Sequence, residues 1–416
     1  MTRVTDASMS AHYLNSIHKL KSSVSQLQRQ IASGNVIEKP SDSPSKSVTL
    51  IRNNDIINQI NSNLNNIKTG LSFLNQTVFS LEVAQSEILN VISKLTDMQD
   101  PLKQKNLDNY ADQIDQSLKI LMDVANSKSD GKYVFGGTDV TDAPFKFSTD
   151  NQTILQNVNS KGKINVKVSS GVKEKINLTG VEVFGTILYG NGTFDKNSSI
   201  GTIQNFTQQV YDSFENQYSF QMKFEKVAQN KYQFTYNLLD SNNNLIQSSA
   251  QPQVLEFDPN SGYLLSINGQ EPTEFNVSVP NNRINFFVDF QRLSESNSNT
   301  LNFELNQQND IFNTLKNISR NLRNGILPTD QQRAEVDKFN LRVLDKLSEI
   351  GNVINQFNSF ENMLNQQSLE IQSINQEVGG VDVVKSIIDL QNKDYLLQIT
   401  QKIAASILPK SLLDYL

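Results

Sequence analysis

The side chains that enzymes use most for acid, base and nucleophilic chemistry are scarce in this chain of 416 residues, which has two histidines, His12 and His18, and no cysteine. Two histidines share a metal on one helix face when they lie at i and i+4, and these lie six apart. Without cysteine, disulfides, thiolate metal centres and thiol nucleophiles are all excluded. Gly136-Gly137 lacks the Lys-Ser/Thr that completes a phosphate-cradling loop, and Gly190-Asn191-Gly192 sits among polar turn residues. Glu370 and Glu377 are spaced as the solvated face of a helix. No calcium loop or nucleophile elbow occurs, and sequons such as Asn177-Leu178-Thr179 follow from the abundance of Asn. The expectation is a protein without catalytic, cofactor-binding or metal-ligating residues, and not an enzyme.

Composition points the same way. Lys and Arg total 37 against 43 Asp and Glu, a net charge of -6, so no nucleic-acid partner is expected. Hydrophobic residues make up 37%, below the usual ~45 to 50%, and Asn, Gln and Ser fill the gap. Met1 to Leu20 lacks the apolar core of a secretory signal peptide, and no apolar run reaches the ~18 residues of a membrane span. No membrane insertion is expected, and export would use a route without a cleaved signal.

With no chemistry to place, the informative signal is periodicity. Tyr13, Ile17, Leu20, Val24, Leu27 and Ile31 follow a 4,3 alternation, a coiled-coil seam ending at Ser33-Gly34. A Pro-bearing loop leads to Ser43 as N-cap and Pro44 in the first turn of a second helix. Its seam runs through Ile57, Ile60, Leu64, Ile67, Leu71, Leu74, Val78, Leu81, Ile88, Ile92 and Leu95, with Gln85 the one polar position. A shorter helix carrying Leu107, Ala111, Ile114, Leu118, Leu121 and Ala125 returns along it.

The C-terminal flank mirrors this. Ile311, Leu315, Ile318 and Leu322 mark a short helix ended by Asn324-Gly325. Val336, Val343, Leu347, Ile350, Ile354, Phe357, Leu364, Ile371 and Val378 mark a second long seam, broken at Gly379-Gly380. In the last helix, Val381 to Leu408, Val383, Ile387, Ile388, Leu390, Leu397, Ile403 and Ile407 belong to an apolar face too wide for one stripe. It needs neighbours on two sides, which predicts subunit assembly, with terminal helices that order as they assemble.

Between the flanks lie 16 of the 22 Phe, 7 of the 11 Tyr and 12 of the 18 Gly. Alternation predicts a hairpin from Phe220 to Leu238 and strands over Asn165–Val168, Phe275–Val279 and Ile284–Phe290. Ile203–Phe214 reads as one helix inside the sheet region. The expected fold class is α+β multidomain: long antiparallel helical coiled-coil arms from both termini with a central β-rich insert. The expected domains are 1–43 plus 379–416 for assembly, 44–145 plus 302–378 as a helical shaft, and 146–301 as an exposed insert.

Three motifs carry a resemblance. Ser33-Gly34 is followed by Lys39-Pro40-Ser41-Asp42-Ser43-Pro44, Gly131-Lys132-Tyr133-Val134-Phe135-Gly136-Gly137 by Ala143-Pro144-Phe145, and the chain closes Ser411-Leu412-Leu413-Asp414-Tyr415-Leu416. Together with the paired terminal helices they resemble the bacterial flagellin superfamily, and within it the hook-associated protein 3 group at the hook-filament junction. Ser43 replaces the second Asp of that group's pattern, and Glu38 falls where a more basic or polar residue is common.

The resemblance implies an extracellular structural adaptor of the flagellum, exported by the type III apparatus with its N-terminus uncleaved. Its partners would be a ring of its own copies, a neighbouring hook-associated protein, flagellin and an export chaperone. Tyr13–Ile31 and Val383–Ile407 would form an inner tube, and Ile57–Ala125 with Ile311–Val378 an outer one. Two other readings stay open from sequence: a flagellin filament subunit, and a secreted adhesin that binds through residues 146–301.

Overall fold

The computed structural model describes residues 2–139, 141–157, 161–169 and 171–407, with side chains from residue 11 to 404. Its helices are α1 (Thr2–Ser33), α2 (Pro44–Asp97), α3 (Leu107–Ala125), α4 (Gly180–Phe184), α5 (Ile311–Arg323), α6 (Asp330–Gly379) and α7 (Val383–Ile407). Long helices thus come from both flanks of the chain, and the β-rich region lies between them in sequence. Two compact units result, residues 1–65 with 359–416 and residues 66–358, and the division falls within α2 and α6.

In the first unit α1 packs on α7. The start of α2 and the end of α6 run antiparallel: Leu50 lies against Gly379, and Asn53 Nδ2 donates to Asn375 Oδ1 at 2.8 Å. A paired amide between two packed helices favours one register, because any shift leaves it unpaired. The breaks at the two ends are tied together. Val36 N donates to Gly379 O at 2.8 Å and Val381 N to Gly34 O at 3.0 Å, a short antiparallel bridge between the two linkers.

In the second unit α2 meets α6 where Gly70 faces Phe357, and a Cβ at Gly70 would lie 2.6 Å from that ring. Gly351 of α6 has nothing within 4 Å of the same position. Both are mid-helix glycines, so alanine removes a helix penalty of ~1 kcal/mol at either site. Only Gly70→Ala also overpacks, which costs about 1 to 3 kcal/mol. Urea unfolding should therefore show Gly351→Ala more stable and Gly70→Ala less stable than the parent; shifts of one sign would contradict this packing. α3 runs back along α2, with Ser80 Oγ 2.9 Å from Ser127 Oγ and Lys94 Nζ 3.4 Å from Ser117 Oγ. α5 packs on α3, where Arg323 bridges Asp112 and Asp115.

The insert holds two larger sheets. One is ordered Leu264–Ile267, Gln253–Phe257, Lys231–Leu239, Gln217–Ala228, Ile203–Tyr211, with Leu245–Ser248 also on Lys231–Leu239. The other is ordered Phe275–Val279, Ile284–Ser296, Ile187–Asp195, Asn302–Leu305, its middle pair parallel. Their facing sides share one aromatic core: Phe224 stacks on Phe303 at 5.4 Å, and Phe234 meets Phe290 edge-on at 4.9 Å. The predicted hairpin turns at Asn230, φ 58°.

Ile203–Phe214 is not a helix. It is the strand Ile203–Tyr211, paired along its length with Gln217–Ala228, and Phe206 reaches Phe303 at 4.8 Å. The side chains alternate with period two, exposed at Ile203, Asn205 and Thr207 and turned inward at Phe206 and Val210, which outweighs the helical spacing of Ile203, Phe206 and Val210. α4 is a further departure. Among residues read as strand and turn, Thr179 and Glu182 close a capping box that starts one helical turn.

Two asparagine amides bond to strand backbone in the same way. Asn313 Oδ1 accepts from Ile154 N at 2.9 Å while its Nδ2 donates to Ile154 O at 3.0 Å, and Asn126 makes the same pair of bonds with Phe145. Each amide stands in for a neighbouring strand and satisfies backbone groups that would otherwise be buried unpaired.

Asp310 caps α5 by accepting from Asn313 N at 2.8 Å, and burial pushes its carboxyl up to about 6. Between its ordinary value and about 6, the folded chain holds a proton that the unfolded chain has lost. This group's contribution to stability therefore rises as pH falls through 6 and is lost as pH rises above it, by at most about 3 kcal/mol. Asp310→Asn keeps a capping oxygen without the titration. Its stability relative to the parent should be highest at neutral pH and decline toward pH 4; a difference independent of pH would overturn the assignment.

Candidate assembly surface

The first unit carries the apolar residues that sequence periodicity singled out at the two ends of the chain. On α1, Val24 is buried, Tyr13, Ile17, Leu20, Leu27 and Ile31 are half-buried, and Leu14 on another side is exposed. One stripe of α1 is thus covered, as packing on a single helix gives. On α7, Leu390 and Leu397 are half-buried, while Val383, Ile387, Ile388 and Ile403 are exposed. Val384, Tyr395 and Leu396 are exposed as well, Val384 at 71% and Ile388 at 53%. The side chain of Ile407 and the closing residues 408–416 lie outside what the structure describes.

α7 therefore presents far more apolar surface than α1 covers. Full burial of one such side chain contributes roughly 1.5 to 3 kcal/mol, and large exposed apolar faces mark interaction sites. Among the described residues no helix is long and apolar enough to cross a membrane, and no cluster of His, Asp and Glu is arranged to hold a metal ion. His12 and His18 are both exposed.

The linker after α1 is built by its motif residues. Asp42 Oδ2 accepts from Glu38 N at 3.0 Å and Lys39 N at 2.8 Å, folding the loop back before Pro44 starts α2. Glu38 pairs with Arg29 of α1 at 3.0 Å, which gives that position an acidic role. Gln30 Nε2 donates to Val36 O at 2.6 Å, holding the linker against the helix it leaves.

In the long helices, Ile60, Ile67, Leu74, Leu81, Ile88 and Leu95 are buried, as are Ile350 and Phe357. Ile57, Leu64, Leu71, Val78, Ile92, Leu347 and Ile354 are half-buried. The second fully covered row of α2 is instead Gly70, Thr77, Ala84 and Val91, continued by Met98 just past the helix end, also at seven-residue spacing. A search for large apolar residues passes over that row, because its first three members are small. The heptad spacing of small side chains is the signal that finds it.

Comparison with known proteins adds the following. The family model of the flagellar basal body protein FlaE D2 domain matches residues 185–368, which takes in both larger sheets, α5 and most of α6. The chain resembles flagellar hook-associated proteins. The crystal structure of the flagellar junction protein FlgL from Legionella pneumophila is 16% identical, covering 80% of this chain and 100% of that one at a TM-score of 0.44. FlgL of Xanthomonas campestris is 15% identical, covering 78% and 98% at 0.42. A putative flagellar hook-associated protein from Vibrio parahaemolyticus is 11% identical, covering 82% and 100% at 0.47. Among curated proteins, none matches.

Proposed function

We propose that this chain is a structural subunit of the bacterial flagellum, an adaptor at the junction of hook and filament, outside the cell. The observation that carries the reading is the uncovered apolar face of α7, and the flagellar hook-domain match over residues 185–368 supports its setting. Copies of the chain form a ring in which α1 and α7 of neighbouring subunits cover one another, as the inner tube of residues 1–43 and 379–416. Residues 44–145 with 302–378 make the shaft around it, and residues 146–301 the exposed knob. Heterologous packing of this kind closes into rings or continues as tubes. A hook-associated protein on one side, flagellin on the other and an export chaperone before assembly complete the partners, with type III export as the route.

Deleting residues 383–416 in a flagellated cell removes α7 and leaves the second compact unit whole. The expected phenotype is intact hooks without filaments. Filaments of normal length would contradict an adaptor that works through its terminal helices.

A further inference from the structure

In the second unit a two-stranded hairpin, Asn165–Ser169 with Val172–Lys175, differs in charge from the rest of the chain. Between residues 161 and 175 there are five lysines and one glutamate, in a chain whose net charge is -6. Lys167 and Lys173 are directly opposite in the register, where like charges destabilise a strand pair. Ile176 N donates to Ile164 O at 2.9 Å, so pairing continues past the strand end toward Lys163. Alternation then puts Lys163, Asn165 and Lys167 on one face with Lys173. Lys175 is neutralised by Glu182 at 2.7 Å, whereas Lys163, Lys167 and Lys173 are exposed and have no ionic partner among the described residues.

A face of the opposite character lies on α6. Val336, Phe339, Val343 and Ile350 are buried on its core side. On the other side Asp337, Leu341, Leu344 and Asp345 are exposed, Leu341 at 64%, and among the described residues neither aspartate has an ionic partner. Leucines between two carboxylates suit lysine, whose methylene stem covers apolar surface while its ammonium reaches a charge. The dimensions agree. Asp337 and Asp345 are eight residues apart on a helix, about 12 Å. Lys163 and Lys167, four apart in extended chain, are about 13 Å apart. The midpoints are Leu341 and Asn165.

We propose that the lysine face of this hairpin in one copy of the chain lies along the outer face of α6 in the next copy, Asn165 over Leu341 and the lysines against Asp337 and Asp345. The contact rests on the ring of copies and adds to it a charged seam outside the terminal helices. It joins two different surfaces, so it is heterologous and repeats from subunit to subunit as a ring requires. The neighbour's carboxylates relieve the repulsion between Lys167 and Lys173 that a single copy leaves standing.

The chain has no cysteine, so an introduced pair reports one contact. Asn165→Cys with Leu341→Cys, in the full chain expressed in flagellated cells in place of the parent, should give a ladder of dimers and larger species when isolated flagella are oxidised. A disulfide forms only where Cα atoms come within about 7 Å, so each single variant, and Asn165→Cys with Phe79→Cys on the exposed side of α2, should give roughly tenfold less. Asp337→Lys with Asp345→Lys should cut filament number by roughly fivefold, and adding Lys167→Glu and Lys173→Glu should restore about half of the loss. Normal filaments without the ladder, an equal ladder through Phe79→Cys, a product joining the chain to a different protein, or a charge exchange that shows no loss or no recovery would each overturn this contact and leave the ring of copies standing. Absence of the parent chain from isolated flagella would overturn the ring and the contact with it.

Discussion

Ile388→Asp is expected to abolish assembly while leaving the isolated chain soluble and folded. The side chain is 53% exposed on α7, so a carboxylate there meets water in the single chain. In a subunit interface the same carboxylate loses its hydration without gaining a partner, which costs several kcal/mol at every contact of the ring. Leu20→Asp acts on the half-buried stripe of α1 that packs on α7, so it should abolish assembly too while loosening that pair of helices in the single chain. Circular dichroism and sedimentation of the purified chain, beside filament counts on complemented cells, separate the two effects. Normal filaments from either variant would contradict the account.

Phe184→Ala is the substitution expected to cost most stability. Phe184 ends α4, is fully buried, and touches four other rings: Phe135 at 5.3 Å, Phe145 at 5.8 Å, Phe312 at 5.4 Å and Phe339 at 5.8 Å. Those rings come from the segment after α3, a short hairpin, α5 and α6. Truncating a fully buried Phe costs about 3 to 5 kcal/mol, the lost transfer of the ring plus the cavity it leaves. Tyr263→Ala, at a site 70% exposed, should stay within ~0.5 kcal/mol of the parent. Urea unfolding measures both, and a Phe184→Ala loss no larger than the Tyr263→Ala one would remove this cluster from the core.

Why the helices were legible before the structure is clear from α3 and α5. Leu107–Ala125 buries a stripe against its neighbours, and Ile311–Arg323, though buried most of the way round, fills its other covered positions with Asn313, Thr314, Asn317 and Ser319, so the 3.6-residue period of Ile311, Leu315, Ile318 and Leu322 still stands in the sequence. The long seam of α2 was legible in its large residues and hidden in its small ones, since Gly70 and Ala84 carry no apolar signal although they let the partner helix approach. Ile203–Tyr211 failed for another reason: its inward residues include Gln204 and Gln208, so polar side chains break the alternation that marks a strand. The capping box of α4 was visible at Thr179 and Glu182, but five residues bear no periodicity.

The candidate surface shows the same limit. Periodicity places Val383, Ile387 and Ile388 on one helix and marks its apolar girth as excessive, while only the structure shows which of that girth α1 leaves open.

Immunogold electron microscopy of intact flagellated cells, with antibody against residues 146–301, tests the central claim most directly. A short labelled zone where hook meets filament is the predicted result. Label along the whole filament, or none on flagella, would contradict it.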